Sequence, residues 1–158
     1  MRVYADTSVI GGCEDHEFRE PSRRLMERCS LGEVTLVLSA LTLQELERAP
    51  QAVRDVLRAV GADNVEVVAI TGEIRELADR YVESGVLGKG MRADAQHVAA
   101  ATVSGVDVLA SWNFRHMVNL SRSPAVRRRS PADGVSSGGD SFLAELFDRR
   151  VARAGDRG

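Results

Sequence analysis

The sequence predicts an α/β fold, a three-layer α/β/α domain with a mainly parallel central sheet. Two observations lead to this class. Short apolar segments alternate with longer amphipathic ones from the first residue to about residue 120. The short segments are continuously apolar, which is typical of parallel strands that are buried on both faces. Strand–helix alternation of this kind predicts successive βαβ units.

The predicted strands are rich in Val, Leu and Ile. The first is the short segment RVYA at residues 2–5, which stops at an ionised carboxylate, Asp6. The other three are VTLVLSA, VEVVAI and VDVLASW, at residues 34–40, 65–70 and 106–112. Their length and β-branched content favour strands over buried helices.

The predicted helices have apolar residues at helical spacing. In the first, Leu25, Met26 and Cys29 share one side, charged residues occupy the other, and Gly32 offers a stop. The pattern of the second continues through Pro50 into a third segment, and a small-residue helix well suited to close packing on a sheet comes last. The helical segments cover residues 18–32, 41–49, 52–61, 73–85 and 92–105.

The composition changes near residue 120 and divides the chain into three parts. Residues 1–120 form the predicted α/β domain. Residues 121–140 are rich in Ser, Arg, Pro and Gly with few apolar side chains, which predicts a flexible linker. Residues 141–158 have apolar positions at helical intervals and predict a short C-terminal helix that docks on the domain, binds a partner or is marginal alone.

The net charge, the cysteine count and the length of the apolar runs exclude several classes of protein. A net charge of −2 does not fit a bulk-basic nucleic-acid coat, so any nucleic-acid contact has to be local. Cys13 and Cys29 are too few for a disulfide framework or a zinc cage. There is no signal-peptide core and no apolar run of membrane-spanning length, so we expect a cytoplasmic protein without a membrane partner.

Three acidic residues stand at places where ligands gather in a parallel sheet, and each also has a purely structural interpretation. Asp6 follows the first strand and fits the cap of the next helix or turn. Glu45 follows the second strand and fits a capping box with Thr42. Asp94 lies in a first helical turn, where the helix dipole stabilises a negative charge. Asn113, after the fourth strand, fits a turn.

The structural interpretations do not require these four residues to lie near one another, whereas a shared functional site does. The carboxyl ends of parallel strands meet at one edge of the sheet. Carboxylates that converge there repel one another unless a cation neutralises them. Oxygen ligands of this kind suit Mg²⁺, with Mn²⁺ as the alternative, and the scarcity of Cys and His argues against zinc.

The chain resembles the PIN-domain family, the metal-dependent ribonucleases that include the VapC-type toxins of toxin–antitoxin pairs. Four motifs in the expected order span nearly all of residues 1–120: YADTSVIGG, LTLQELERAP, RADAQHVAAATVSGVDVL and SWNFRHMVN. The resemblance ends after Asn119, where related chains usually continue with a closing strand. The atypical C-terminal tail is accounted for equally by a natural extension and by a shifted reading frame.

The resemblance implies a catalytic set of Asp6, Glu45, Asp94 and Asn113. The first three correspond to the acidic metal-binding positions. Asn113 stands where many members have a fourth acid, which implies one metal ion rather than two.

Supporting positions follow from the same motifs. Ser8 matches the first-loop hydroxyl that orients the first carboxylate, and Ser111 matches a hydroxyl near the fourth. His116 resembles a feature of one subgroup, and a structural histidine explains it equally well. We assign His97 to packing or to the helix surface.

The implied reaction is metal-dependent hydrolysis of an RNA phosphodiester bond, with Glu45 assisting deprotonation of water. Lys89 and Arg92 are candidates for contacts to the RNA backbone, although solvation of a surface explains them as well. A basic cluster at Arg122 and residues 127–129 allows the same two interpretations. With one Trp and 4% aromatic residues, extensive base stacking is not predicted.

Two rival functions remain open. An aspartyl-nucleophile phosphatase also has an Asp after its first strand, but Ser8 stands where its second acid belongs. A non-catalytic RNA- or partner-binding module on the same fold accounts for Asn113 and for the tail. The PIN-domain resemblance further implies an antitoxin as a partner and a homodimer as the assembly.

Overall fold

The computed structural model describes residues 1–85, 87 and 91–113. Within these residues, ten helices and strands, with one short 3₁₀ turn at Ala62–Asn64, follow one another as an alternating α/β chain. They are β1 Arg2–Ala5, α1 Thr7–Gly12, α2 Arg19–Ser30, β2 Thr35–Ser39, α3 Ala40–Glu47, α4 Gln51–Val60, β3 Val65–Val68, α5 Gly72–Glu83, α6 Arg92–Val103 and β4 Val108–Ala110.

The four strands form one parallel sheet in the order β3-β2-β1-β4. Strand β1 lies at the centre, where Tyr4 is in register with Val37 of β2 and with Leu109 of β4. Because every strand runs in the same direction, the residues that follow β1, β2 and β4 all emerge at one edge. The predicted α/β class with a mainly parallel sheet, similar to that of PIN domains, is confirmed.

Helices cover both faces of the sheet, and alternate strand residues face two separate cores. On one face Val3 and Leu36 pack with α1, α2 and α4. On the other face Tyr4 and Val37 pack with α5 and α6. Because helices pack on both of its faces, β1 is fully buried beyond its first residue. The result is the predicted three-layer α/β/α arrangement.

Strand β1 has the predicted bounds, the other three strands are shorter than predicted, and β3 is less buried. Strand β3 pairs with β2 alone among the described strands, and the side chain of Val67 is 52% exposed. Burial on both faces therefore holds for β1 and β2 but not for β3. The helical pattern predicted to continue through Pro50 forms two separate helices. Helix α3 ends at Glu47, and Pro50 occupies the N-cap position of α4.

No helix in the described part of the chain is long and apolar enough to cross a membrane. The predicted linker at 121–140 and the predicted helix at 141–158 lie outside the described residues. The same is true of the basic cluster that includes Arg122.

Candidate functional site

Asp6 caps a helix and also anchors a hydrogen-bonded array at the carboxyl edge of the sheet. Its Oδ1 accepts from the backbone N–H groups of Ser8 at 3.0 Å and Val9 at 3.3 Å, as the capping interpretation predicts. The same oxygen accepts from the hydroxyl of Ser8 at 2.5 Å, and Oδ2 accepts from the hydroxyl of Ser111 at 2.5 Å. The carboxylate is 3% exposed, so a buried negative charge is held by neutral donors.

Both serines are held in turn by the end of β4. The hydroxyl of Ser8 accepts from the backbone N–H of Trp112 at 2.9 Å. The hydroxyl of Ser111 accepts from the backbone N–H of Asn113 at 3.1 Å. Each hydroxyl thus has one fixed donor, which directs its own hydrogen toward Asp6. The serines orient the carboxylate of Asp6, the role that the resemblance implies for Ser8.

The array reaches Asp94 through Asn113. Asp94 is half-buried in the first turn of α6, where the helix dipole favours a negative charge. Its Oδ1 accepts from the side-chain amide of Asn113 at 3.3 Å. The structure therefore joins Asp6, Ser111, Asn113 and Asp94 in one series of contacts across β1, β4 and α6.

Glu45 lies beside this array and is bonded to different partners. The predicted capping box is wrong, because α3 begins at Ala40 and its cap is Ser39, whose side chain accepts from the backbone N–H of Thr42. Glu45 Oε2 instead accepts from the hydroxyl of Thr7, the residue next to Asp6. Among the described residues, no hydrogen bond or ion pair joins Glu45 directly to Asp6 or Asp94.

His97 holds Glu45 from the opposite side. Its Nε2 lies 3.5 Å from Glu45 Oε2, and its Nδ1 lies 2.8 Å from the hydroxyl of Tyr4. An ionised Glu45 requires a proton on Nε2, and Nδ1 shares a hydrogen bond with the hydroxyl of Tyr4. The contact with His97, followed by the hydrogen bond from Thr7, lowers the pKa of Glu45 against the opposing effect of burial. Burial raises the pKa of Tyr4 to about 12, which keeps its hydroxyl neutral.

Sequence reasoning missed this series of contacts from Tyr4 through His97 to Glu45. His97 is 3% exposed, so the assignment to packing is correct, but the ring also carries a polar contact at each nitrogen. One signal was present, because His97 follows Asp94 by three residues and shares its helical face. Nothing in the local sequence links that face to Glu45 on α3.

The donors at the sheet edge suit a hard cation with few protein ligands. Within the described residues, no three Asp, Glu, His or Cys side chains form a group that could hold a metal ion. The predicted cage of three carboxylates is therefore not assembled in this part of the chain. Asp6 and Asp94, with the carbonyl oxygen of Asn113, offer oxygen donors of the kind that bind Mg²⁺ through one or two carboxylates and several waters.

Three other predicted residues give less information about the site. Arg92 begins α6, and its guanidinium pairs with Asp79 of α5 at 2.9 Å on the surface. Its contact with RNA stays a prediction. Lys89 and His116 lie outside the described residues.

Comparisons with known proteins support the architecture. No protein-family model and no curated protein sequence matches the chain. Among solved structures, the chain is similar to VapC20 of Mycobacterium tuberculosis, described as a sarcin–ricin loop cleaving toxin. The identity is 17% and the TM-score 0.52, and the similarity covers 72% of this chain and 92% of the toxin. At that identity the comparison establishes a shared fold: this chain has the α/β architecture of a VapC toxin.

Proposed function

We propose that the chain is a divalent-metal-dependent ribonuclease that hydrolyses RNA phosphodiester bonds. The observation that carries this proposal is the array at the carboxyl edge of the sheet, in which Ser111 and Asn113 connect the carboxylates of Asp6 and Asp94. Ligand sites of open parallel sheets lie at this edge. The fold shared with a toxin that cleaves the sarcin–ricin loop supports the same reaction class.

In the proposed site, Asp6 and Asp94 hold Mg²⁺ or Mn²⁺. A cation held by these residues would stabilise negative charge on a phosphoryl oxygen and would lower the pKa of a water molecule. Ser8 and Ser111 keep the carboxylate of Asp6 oriented, and Asn113 does the same for Asp94. Because all three supporting groups are neutral, they leave the negative charge of both carboxylates available to a cation.

Glu45 is the proposed proton acceptor for the attacking water. Its lowered pKa keeps the carboxylate ionised at neutral pH. Thr7 and His97 both contact Oε2, which fixes the side chain and leaves Oε1 to receive a proton. His97 and Tyr4 are positioning residues in this scheme, because they act through Glu45.

The test is cleavage of a labelled single-stranded RNA by the full chain with Mg²⁺, with Mn²⁺ and with a chelator. We expect cleavage with either cation and none with the chelator. Asp94→Asn should reduce the rate at least about 100-fold, since it removes a charged ligand without changing the side-chain shape. The matched control is Asp107→Asn, because Asp107 binds the backbone N–H of Arg2 at the opposite end of the sheet. Undiminished metal-dependent cleavage by Asp94→Asn contradicts the assignment.

A non-catalytic RNA-binding module is the second candidate. Two observations favour it: the neutral Asn113, and the lack of three clustered metal-ligand side chains within the described residues. The same experiment separates the two functions. A binding module retains its RNA complex in chelator and produces no cleavage with either cation, whereas a nuclease shows cation-dependent turnover.

The similarity to a toxin supports an extension of the proposal, in which the chain is the toxin of a toxin–antitoxin pair. A cognate antitoxin then covers the acidic edge, and the toxin pairs as a homodimer. Expression of the chain alone should arrest growth, and Asp94→Asn should relieve the arrest. Growth arrest that persists in Asp94→Asn contradicts a toxic activity based on this site.

A further inference from the structure

A cavity adjoins the array at the carboxyl edge of the sheet. It has a volume of about 350 Å³ and lies between α1, the segment before α2 and the end of β4. Ser8 and Asn113 line it. These two residues also contact Asp6 and Asp94, so the cavity and the proposed cleavage site share a boundary.

One wall of the cavity is a pair of stacked aromatic rings. Phe18 and Trp112 are nearly parallel, with an angle of 9° between the ring planes and 5.2 Å between centroids. Trp112 is fixed at two points, because Nε1 donates to Ser22 Oγ at 2.8 Å and the backbone N–H donates to Ser8 Oγ at 2.9 Å. Most of the described chain separates the two rings, so their contact could not be predicted from local sequence patterns.

Two glycines of α1 also line the cavity and add no side chains to it. Gly11 lines the space, and a Cβ at this position meets no atom within 4 Å. Gly12 also lines it, but a Cβ there comes within 2.8 Å of Trp112 Nε1. The helix therefore approaches the indole at Gly12 and leaves room for a flat ligand beside Gly11.

We propose that this cavity binds a nucleobase of a single-stranded RNA whose neighbouring phosphate lies at Asp6 and Asp94. This inference rests on the proposed ribonuclease function. A pair of aromatic rings next to a phosphodiester site suits a base, because stacking on aromatic rings is a general mode of binding to single strands. Asp15 also lines the cavity, and its Oδ1 accepts from the backbone N–H groups of Glu17 at 2.8 Å and Phe18 at 3.4 Å. The residue is exposed, and its Oδ2 is the oxygen that can accept from an N–H group on the edge of a base.

Trp112 provides a direct probe of binding, because it is the one tryptophan of the chain. The experiment follows its fluorescence during titration of the full chain, with Mg²⁺ and in chelator, with a short single-stranded RNA. The comparison ligand is an abasic sugar–phosphate oligomer of the same length. We expect RNA to quench Trp112, and we expect the abasic oligomer to bind about tenfold more weakly without quenching.

Two variants test the location. Gly11→Leu fills the cavity without a clash at Cβ and should weaken RNA binding about tenfold. Its matched control is Gly72→Leu, since Gly72 is also a helical glycine with open space around a Cβ. If Gly11→Leu fails to fold, Phe18→Leu removes one stacked ring from the wall and should weaken quenching and binding in the same direction.

The outcomes separate this inference from the proposed function. One outcome is that RNA quenches Trp112 but the abasic oligomer does not, that Gly11→Leu weakens the quenching, and that no cation supports cleavage. This outcome supports the base site and rejects the nuclease. Cleavage with unchanged Trp112 fluorescence, and with equal RNA affinity in the parent and Gly11→Leu, overturns the base site alone. RNA that does not bind, or that binds no better than the abasic oligomer, also overturns it.

Discussion

The side-chain amide of Asn113 donates to Oδ1 of Asp94 at 3.3 Å, which ties the end of β4 to the first turn of α6. A neutral donor thus faces Asp94 where the resemblance to PIN domains implies a fourth acid. The consequence is electrostatic: the edge carries less negative charge than it would with a carboxylate at this position, and so attracts a cation less strongly.

Asn113→Asp should therefore increase the affinity for Mg²⁺. Without a cation, the new carboxylate repels Asp94 and lowers the melting temperature; with Mg²⁺, binding to the folded state raises it. We expect the Mg²⁺-induced rise in melting temperature to be larger in Asn113→Asp than in the parent, and smaller in Asp94→Asn. Calorimetry with and without Mg²⁺ measures both.

Asp107→Asn serves as the control for this prediction, because Asp107 lies at the opposite end of the sheet and binds the backbone of Arg2. It should leave the Mg²⁺ response unchanged. Equal responses in the parent, Asn113→Asp and Asp94→Asn are incompatible with a cation site between these two residues.

The pKa of Glu45 should rise when His97 is replaced. The contact with His97 is the largest cause of the lowered pKa, and the hydrogen bond from Thr7 is a smaller one. His97→Leu, which removes the donor, should thus raise the pKa more than Thr7→Val does. Carbon NMR of the Glu45 carboxyl group during an acid titration measures both shifts. The opposite order would contradict the contacts described for Oε2.

The same pKa shift fixes the sign of a pH effect on stability. The folded-state pKa of Glu45 lies below that of the unfolded chain, about 4.3. The contacts of Glu45 therefore stabilise the folded protein at pH values above the pKa of the unfolded chain. This stabilisation is lost as the pH falls through the folded-state pKa of Glu45. The difference in unfolding free energy between the parent and Glu45→Gln should shrink on acidification, which urea unfolding at several pH values measures.

Tyr4→Phe should destabilise the protein by about 1–3 kcal/mol, because it leaves the buried Nδ1 of His97 without its hydrogen-bond partner. Tyr81→Phe is the matched control. The hydroxyl of Tyr81 is also buried, but it has no hydrogen-bond partner among the described residues, so its removal should be neutral or stabilising. Thermal unfolding of both variants makes the comparison. Equal losses would show that the contact between Tyr4 and His97 contributes nothing specific.

The sheet edge could be predicted from the sequence because it depends on local patterns. Asp6 and Asn113 each directly follow a short apolar strand segment, and parallel strands bring such residues to a common edge. The face of α6 that carries Asp94 follows from helical spacing. To predict these features, one needs only the order of the strands and the direction of each helix and strand.

The contacts between helices could not be predicted in this way. His97 meets Glu45 only because α6 and α3 converge beside Tyr4, and Phe18 meets Trp112 only because the segment before α2 folds against the end of β4. Each contact depends on packing angles that a single sequence does not specify. The capping box failed for a related reason: Ser39 and Thr42 both suit a cap, and the end of β2 selects Ser39.

Gly12→Ala should destabilise the protein by about 1–3 kcal/mol, because a Cβ there collides with Ser22 Oγ and comes within 2.8 Å of Trp112 Nε1. The displaced indole should lose its hydrogen bond to Ser22, and its fluorescence should shift to longer wavelength. Gly11→Ala is the control, since a Cβ at Gly11 meets no atom within 4 Å and alanine favours the helix. Urea unfolding and the emission spectrum measure the two effects. A Gly12→Ala variant as stable as Gly11→Ala, with an unshifted spectrum, contradicts the close approach of α1 to Trp112.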